Sequence, residues 1–166
     1  ALRGAIARPT VKSHAAITEP EELGGLLRAI DAFSGQTTTR IGLQLMALLH
    51  PRPGELRHAK WNEVDLEKAV WTIPADRMKM RRPHRAPLPN AAIDLLRELK
   101  PLTGHGEYLL PSVRSLKRPI SENTFTAALR RMGYTGDDAT AHGFRATFST
   151  LANESGLWNP DAIERA

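Results

Sequence analysis

The sequence predicts a mainly α-helical domain that carries a small antiparallel β-sheet, an α+β fold. Two patterns predict it: apolar residues recur at helical spacing in several segments, and three short β-type runs lie between residues 64 and 88. A length of 166 residues with 41% hydrophobic residues is enough for one domain with a sizeable core. This composition excludes intrinsic disorder for most of the chain.

The N-terminal part is predicted to contribute two helices. The first begins with Thr18 as N-cap and Pro20 in its first turn, and it ends at Gly35. Its apolar residues recur at helical spacing: Leu23, Leu26, Leu27, Ile30 and Phe33. The second helix, from about residue 38 to residue 49, is apolar nearly all round, which predicts that it is the buried core helix.

The sheet and the later helices follow a break rich in proline at residues 51–54, after which residues 55–58 are predicted to form only a short turn. No internal repeat or low-complexity linker interrupts the remaining chain. The predicted elements are strands at 64–66, 70–73 and 84–88, a helix at 91–99, a short strand or turn at 108–110, a helix at 121–132 with Ser121 as N-cap, and a last clear helix that holds Phe144 and Leu151 and ends at Gly156.

Positive charge is concentrated in two stretches of the chain. The net charge is +5, yet residues 76–85 and residues 111–131 each carry +4. Such clustering is typical of proteins that bind a phosphate backbone, because each neutralised phosphate releases condensed counterions. Two solvated loops that happen to be basic are the alternative on charge alone. The candidate DNA contacts in these stretches are Arg77, Arg81, Arg82, His84, Arg85, Arg114, Lys117 and Arg118.

Composition excludes several other classes of site. The chain has no Cys, and its six His show neither a His-Glu-x-x-His pattern nor close pairing. We therefore predict no metal and no cofactor. The longest apolar stretches are far shorter than a membrane span and the N-terminus lacks a signal-peptide pattern, which predicts a cytoplasmic protein without a membrane partner.

Three short motifs carry the candidate chemistry. Arg52 lies in a Pro-Arg-Pro-Gly-Glu break, Lys79 lies in a basic connection between two strands, and His142 and Arg145 open the last clear helix with His-x-x-Arg spacing. Taken singly, each has an ordinary alternative. Arg52 and Lys79 can be solvated surface charges, and His142 can be a cap-like polar group at a helix N-terminus.

In this order the motifs resemble those of the tyrosine recombinases, and within them the phage and prophage integrases. The resemblance extends over nearly the whole chain from about Thr18. Its strongest carriers are Arg-Pro-Gly-Glu-Leu-Arg at 52–57, the run from Trp71 to His84, and Thr-Ala-His-Gly-Phe-Arg-Ala-Thr at 140–147. A lone His-x-x-Arg is a weak signal, whereas the three blocks in order are a strong one. The implied fold is the catalytic-domain fold of that family.

The resemblance implies attack of a tyrosine hydroxyl on a DNA phosphodiester without a metal ion, which leaves a 3′-phosphotyrosyl bond and a free 5′-hydroxyl. Arg52 and Arg145 would clamp the phosphate oxygens, because the planar fork of Arg makes charge-assisted bidentate contacts. Lys79 would be the general acid at the leaving 5′-oxygen, and His142 a proton-transfer or phosphate-contacting group. Glu55 would hold the basic residues in position, with helix N-terminal capping as its alternative.

We expect Arg52, His142 and Arg145 to converge on one concave surface. Lys79 is expected to lie apart in the free domain, because its connection is exposed and basic and would become ordered on DNA. His50 and the proline after it stand where related sequences often have Thr.

The nucleophilic tyrosine of the family follows the His-x-x-Arg motif, whereas Tyr108 and Tyr134 both precede it and are interpreted as packing residues. Because the sequence ends at Ala166, we expect residues 18–166 to be an integrase catalytic domain that lacks its C-terminal end and the nucleophile. Residues 1–17 are expected to be a linker or tail from a preceding DNA-binding domain.

The implied partner is the double-stranded DNA of attachment sites. The resemblance implies a tetramer on DNA for the full-length protein, and a monomer is a possible state of this chain. Three alternatives stay open: a type IB topoisomerase with the same chemistry, a non-catalytic DNA-binding or assembly module of the same fold, and a helical scaffold with solvated basic loops. A tyrosine a few tens of residues beyond Ala166 would favour the recombinase.

Overall fold

The structure, a computed structural model, describes residues 15–165 and is mainly helical, as the sequence predicts. The helices in this range are α1 (Pro20–Asp31), α2 (Thr37–Leu49), α3 (Pro53–Arg57), α4 (Asn90–Thr103), α5 (Glu122–Arg131), α6 (Gly143–Glu154) and α7 (Pro160–Arg165). The strands are β1 (Val64–Asp65), β2 (Val70–Ile73), β3 (His84–Pro87), β4 (Pro111–Ser112) and β5 (Ser115–Pro119). None of these helices is long and apolar enough to cross a membrane.

Helix α2 lies at the centre of the core, as its apolar sequence predicts. Its residues Ile41, Leu43 and Leu45 are fully buried, and α1, α4 and α5 pack around it. A Cβ at Gly42 would lie 2.7 Å from the ring of Phe125 in α5, so the glycine permits a close approach of the two helices. This packing fixes the C-terminal end of α2, from which the chain enters the Arg52 motif.

Strands β1, β2 and β3 form an antiparallel sheet in that order. Val64 lies opposite Trp71, and Ile73 lies opposite His84. Trp71 and Ile73 are buried against the helices, because alternate residues of a strand face the same side. Residues 74–83 connect β2 to β3 and include one turn of 3-10 helix at Ala75–Arg77. This connection carries Lys79.

The structure corrects both ends of the first helix, which stops at Asp31 and not at Gly35, and the end of the helix predicted at 91–99. The N-cap of α1 is Glu19 and not Thr18, because Pro20, with its fixed φ, occupies the first helical position. Helix α4 continues past residue 99 to Thr103 and includes Pro101. Its end is anchored because the buried Thr103 hydroxyl donates to the carbonyl oxygen of Leu109 at 2.8 Å.

The region before α5 also differs from the prediction. Residues 108–110, predicted as a short strand or turn, form an isolated bridge between Tyr108 and Lys60 followed by a bend. A second hairpin, β4–β5, follows it instead, with Pro111 opposite Pro119. This hairpin was not predicted because it has proline at both ends and basic residues between them, and so lacks an apolar β-type run.

Residues 15–17 pack against the start of α6. Ile17 is buried, and the carbonyl oxygen of Ala15 accepts a hydrogen bond from the Thr140 hydroxyl at 3.4 Å. A Cβ at Gly143 would lie 2.0 Å from that carbonyl oxygen, so only glycine fits this contact. Residues 1–14 of the predicted tail lie outside the described residues, and the division into a tail and a catalytic domain stays a prediction.

Candidate active site

The junction between α2 and α3 positions Arg52 and Glu55. After α2 ends, His50 adopts left-handed backbone with φ of 51°, and Arg52 becomes the N-cap of α3, which begins at Pro53. The buried carboxylate of Glu55 accepts the backbone N–H of Arg52 at 2.8 Å and the guanidinium of Arg52 at 2.8 Å. Glu55 therefore caps the helix and orients the Arg52 side chain at the same time.

The start of α6 positions His142 and Arg145. His142 is exposed and immediately precedes the first residue of the helix, and its side chain does not cap α6. Arg145 lies one turn along the helix and is half-buried. Its Nη1 donates a hydrogen bond to the backbone carbonyl oxygen of His50 at 3.1 Å. This bond ties the start of α6 to the end of α2.

Lys79 does not lie apart from the other predicted residues, contrary to expectation. Two residues before it, Arg77 forms an ion pair with the buried carboxylate of Glu63. The Nη1 of Arg77 also donates to the backbone carbonyl oxygen of Glu55 at 3.4 Å. Because these bonds tie the β2–β3 connection to α3, the exposed Lys79 side chain lines the same cavity as Arg52.

Two cavities share the residues Arg52, Glu55 and Lys79. In the first, of about 290 Å³, these residues are joined by Arg145. In the second, of about 470 Å³, they are joined by His142. The structure thus brings all five predicted residues, which come from three separate segments of the chain, around one concave region. We call this region the basic pocket.

A larger cleft, of about 970 Å³, lies beside the three-stranded sheet and contains none of the predicted catalytic residues. Acidic and basic side chains alternate around it, among them Asp65, Lys68, Asp76 and Arg85. Size alone therefore does not locate the candidate site. The convergence of Arg52, Lys79, His142 and Arg145 on two adjoining cavities is the better guide, because clusters of titratable groups in a cleft are typical of functional sites.

Most of the predicted DNA contacts present their charge to solvent. Arg81 and Arg82 are exposed in the turn before β3, and Arg81 has left-handed backbone with φ of 50°. The other exposed residues of this set are Arg85, Arg114, Lys117 and Arg118. His84 is half-buried and lines the 290 Å³ cavity.

Arg77 differs from the rest of this set. Its side chain is only 19% exposed, and its guanidinium is engaged inside the protein by Glu63 and by the Glu55 carbonyl oxygen. A guanidinium held in this way is fixed at the wall of the 470 Å³ cavity and does not extend into solvent as the exposed arginines do. Arg77 therefore holds the β2–β3 connection, and the DNA contact that its charge suggests stays a prediction.

Neither tyrosine lines the basic pocket. The ring of Tyr108 lies 5.7 Å from Nζ of Lys60, in the isolated bridge that precedes β4. Tyr134 is partly buried against the core, with its hydroxyl 3.9 Å from the position that a Cβ on Gly25 would take. Both placements agree with the interpretation of these residues as packing residues.

Sequence reasoning missed three residues around this site. The ring of His50 stacks on Phe148 of α6, with centroids 4.0 Å apart, and burial together with Arg145 lowers the pKa of His50 to about 4. Glu63 is the buried partner of Arg77, and Glu164 of α7 lines the 290 Å³ cavity. Only His50 carried a signal, because His is enriched among the residues that adopt left-handed backbone at the end of a helix.

The sequence model of the phage integrase family matches residues 17–166. The chain belongs to the phage integrase family. The integrase of Enterobacteria phage P4 is 41% identical over 152 residues, and the prophage integrase IntA of Escherichia coli (strain K12) is 37% identical over 162 residues.

The alignment with the phage P4 integrase covers 84% of this chain and 35% of that relative. The alignment with IntA covers 98% of this chain and 38% of that relative. The chain thus spans between a third and a half of the length of the curated relatives it matches. The resemblance to tyrosine recombinases that the sequence motifs indicated is confirmed at the level of the family.

Solved structures of tyrosine recombinases share the fold of this phage integrase family chain. The XerA recombinase superposes with a TM-score of 0.72 at 19% identity, over 96% of this chain and 56% of that protein. A lambda integrase dimer bound to a COC′ core site gives a TM-score of 0.62 at 20% identity, over 87% of this chain and 42% of that protein. The predicted catalytic-domain fold is therefore confirmed.

Proposed function

We propose that this domain binds duplex DNA in the cytoplasm and catalyses site-specific recombination by metal-independent strand cleavage and rejoining through a 3′-phosphotyrosyl intermediate. The convergence of Arg52, Lys79, His142 and Arg145 on the basic pocket carries the proposal. Membership of the phage integrase family and relatives named as integrases support it.

In the proposed cleavage step, a tyrosine hydroxyl oxygen bonds to phosphorus while the bond from phosphorus to the 5′-oxygen breaks. Negative charge grows on the two non-bridging oxygens, and Arg52 and Arg145 stabilise it from two sides of the pocket. Lys79 donates a proton to the leaving 5′-oxygen. The proton of the attacking hydroxyl passes to His142, or to water where His142 only contacts the phosphate. Rejoining is the same step in reverse.

The contacts around Arg52 and Arg145 support their assignment as the clamp. Each guanidinium is held by a hydrogen bond within the protein, to the Glu55 carboxylate for Arg52 and to the His50 carbonyl oxygen for Arg145. Guanidinium groups fixed before the substrate arrives stabilise a transition state without a reorganisation cost. Each also keeps further N–H donors for phosphate oxygens.

The attacking hydroxyl is proposed to come from a residue outside this sequence. Tyr108 and Tyr134 are the two tyrosines of the chain, and neither lines the pocket. The pocket as described stabilises charge but supplies no tyrosine oxygen. We place the nucleophile in a segment that follows Ala166 in the natural protein, and we propose that the full-length protein acts as a tetramer on its DNA.

The exposed cations of the β2–β3 connection and of the β4–β5 hairpin form the proposed DNA-binding surface. Arg81 and Arg82 lie in the same connection as Lys79, so a duplex whose phosphate enters the pocket passes close to them. Arg118 and Lys117 extend the positive charge along β5. Such backbone contacts position the DNA without reading its sequence.

The test uses this chain extended through its natural downstream coding sequence. It is incubated with a nicked duplex in excess EDTA, and covalent protein–DNA adducts are detected on a denaturing gel. We expect adducts, and Arg52→Ala or Arg145→Ala should slow their formation on the order of 10²-fold, as loss of one charge-stabilising donor does elsewhere. Lys68→Ala, which removes a charge outside the pocket, is the matched control. Strong binding without any adduct would indicate a non-catalytic DNA-binding module.

A further inference from the structure

His50 joins α2 to α6 through both its backbone and its ring. Its carbonyl oxygen accepts the hydrogen bond from Nη1 of Arg145 at 3.1 Å. Its ring stacks on the ring of Phe148, with centroids 4.0 Å apart and planes 12° apart. Phe148 follows Arg145 by three positions on α6, so the two contacts lie on one face of that helix.

The backbone of His50 adopts a conformation that needs support. Its φ of 51° lies in the left-handed region, which residues with a side chain rarely occupy, although His is enriched there. The following Pro51 also favours extended backbone at position 50. The cost of this conformation is offset where the surrounding contacts determine it, as at other strained positions.

The stacked ring supplies that support. Within residues 15–165, Nδ1 of His50 is buried and has no hydrogen-bond partner, so contact with Phe148 and not a hydrogen bond through Nδ1 orients the ring. Burial, with a smaller contribution from Arg145, lowers the pKa of His50 to about 4. The ring is therefore neutral at pH 7 and does not repel the guanidinium beside it.

We propose that His50 is the positioning residue for Arg145. Its stack on Phe148 holds the left-handed turn, and the turn aims a carbonyl oxygen at one N–H of Arg145 so that the remaining donors face the phosphate. This inference rests on the proposed function, in which Arg145 clamps the scissile phosphate. His50 acts only on the orientation of one guanidinium and not on the reaction as a whole.

The test follows the arginine side-chain N–H resonances of the whole 166-residue chain by NMR while inorganic phosphate is added. In the wild type, phosphate is expected to shift the resonances of both Arg52 and Arg145. His50→Ala removes the stack and makes the left-handed turn costly, so the phosphate affinity reported by Arg145 should fall about tenfold, the effect of roughly one hydrogen bond to a charged group.

A second substitution at position 50 distinguishes the effect of the backbone conformation from the effect of the ring. His50→Gly also removes the ring, but glycine adopts left-handed backbone without strain. If the carbonyl direction is what matters, His50→Gly should recover a large part of the affinity that His50→Ala loses. Equal losses in both variants would overturn the role of the turn.

Phe148→Leu tests the stack from the other side and remains informative if His50→Ala fails to fold. It keeps an apolar side chain on α6 but removes the ring, so Arg145 should again respond more weakly to phosphate. Leu99→Ala is the control for stability, because Leu99 is fully buried in α4, away from the pocket. Its phosphate response should match that of the wild type despite a loss of stability.

The outcomes distinguish this inference from the proposed function. If phosphate shifts neither arginine in the wild type, the phosphate clamp is wrong and the proposed function fails with it. If phosphate shifts both arginines in the wild type and His50→Ala and Phe148→Leu respond unchanged, the clamp stands and only the role of His50 is overturned.

Discussion

The carboxylate of Glu55 holds Arg52 through both of its oxygen atoms. One accepts the backbone N–H of Arg52 and the other accepts its guanidinium, each at 2.8 Å. Glu55 is only 9% exposed, whereas the Arg52 side chain is 49% exposed. The buried anion thus fixes the base of a side chain whose free donors face the pocket.

Two substitutions of Glu55 should distinguish its role as a cap of α3 from its role in orienting the Arg52 side chain. In Glu55→Gln the amide oxygen still accepts the backbone N–H of Arg52, but the ion pair with the guanidinium is lost. We expect Glu55→Ala to lower the free energy of unfolding by about 1–2 kcal/mol through the lost cap, and Glu55→Gln to lower it by less. Urea denaturation measures both. Equal losses would mean that the cap contributes nothing to stability.

Towards phosphate, in contrast to stability, the same two variants should behave alike. Because both lose the ion pair that orients Arg52, both should weaken the response of the Arg52 resonances to inorganic phosphate in the NMR titration described above. A Glu55→Gln variant that binds phosphate as the wild type does would show that Glu55 acts on Arg52 through the backbone alone.

Arg77 should matter for stability and not for DNA binding. Arg77→Met leaves the carboxylate of Glu63 buried without its cation, which should cost about 3 kcal/mol in the free energy of unfolding. Adding Glu63→Gln should restore part of that loss, because no buried charge remains. Urea denaturation of the two variants tests this. A stable Arg77→Met chain with weakened DNA binding would return Arg77 to the DNA contacts.

The sequence predicted the helical core because its signals are local. The all-round apolar character of α2 and the periodicity of α1 are visible in a window of one helix, and the motifs around Arg52, Lys79 and the start of α6 could be found in order along the chain. The β4–β5 hairpin was missed, since prolines and exposed basic residues form its strands and no apolar alternation announces it.

The position of Lys79 and the contact that orients Arg145 could not be predicted, for a different reason. Each depends on contacts between residues far apart in sequence: Arg77 with Glu63 and the Glu55 carbonyl oxygen, and Arg145 with the His50 carbonyl oxygen. Exposure and charge alone suggested that Lys79 would lie apart. The buried ion pair two residues earlier, which no local pattern reveals, places it at the pocket instead.

DNA binding should depend on salt through the exposed arginines of the β2–β3 connection. Replacing Arg81 or Arg82 by Ala should each reduce the magnitude of the slope of log K against log salt by about 0.9, the contribution of one phosphate contact. Fluorescence anisotropy with a labelled duplex at several salt concentrations measures the slope. Lys68→Ala removes the same charge from the β1–β2 turn, and an equal change there would mean that the slope reports net charge and not contacts.

Stability should fall in acid because His50 is neutral in the folded chain. Burial lowers its pKa from 6.5 to about 4, so below pH 6.5 the unfolded chain binds a proton that the folded chain resists. The contribution of the neutral His50 ring to the free energy of unfolding is fully present above pH 6.5. It is lost as the pH falls towards 4, and it amounts to about 3 kcal/mol in all. Urea denaturation at pH 7.5 and pH 4.5 should therefore show a larger loss for the wild type than for His50→Gln. A parallel loss would mean that His50 titrates normally.

Neither of the two tyrosines in this sequence should act as the nucleophile. In the chain extended through its downstream sequence, Tyr108→Phe and Tyr134→Phe should leave adduct formation nearly unchanged, because neither hydroxyl lines the pocket that holds Arg52 and Arg145. The 166-residue chain alone should bind DNA but form no adduct, since its clamp stabilises charge without supplying an attacking oxygen. Mass spectrometry of the DNA-linked peptide should identify a tyrosine beyond Ala166. An adduct formed by the 166-residue chain that disappears on Tyr134→Phe or Tyr108→Phe would place the nucleophile within this domain and would require a rearrangement that brings that tyrosine to the pocket.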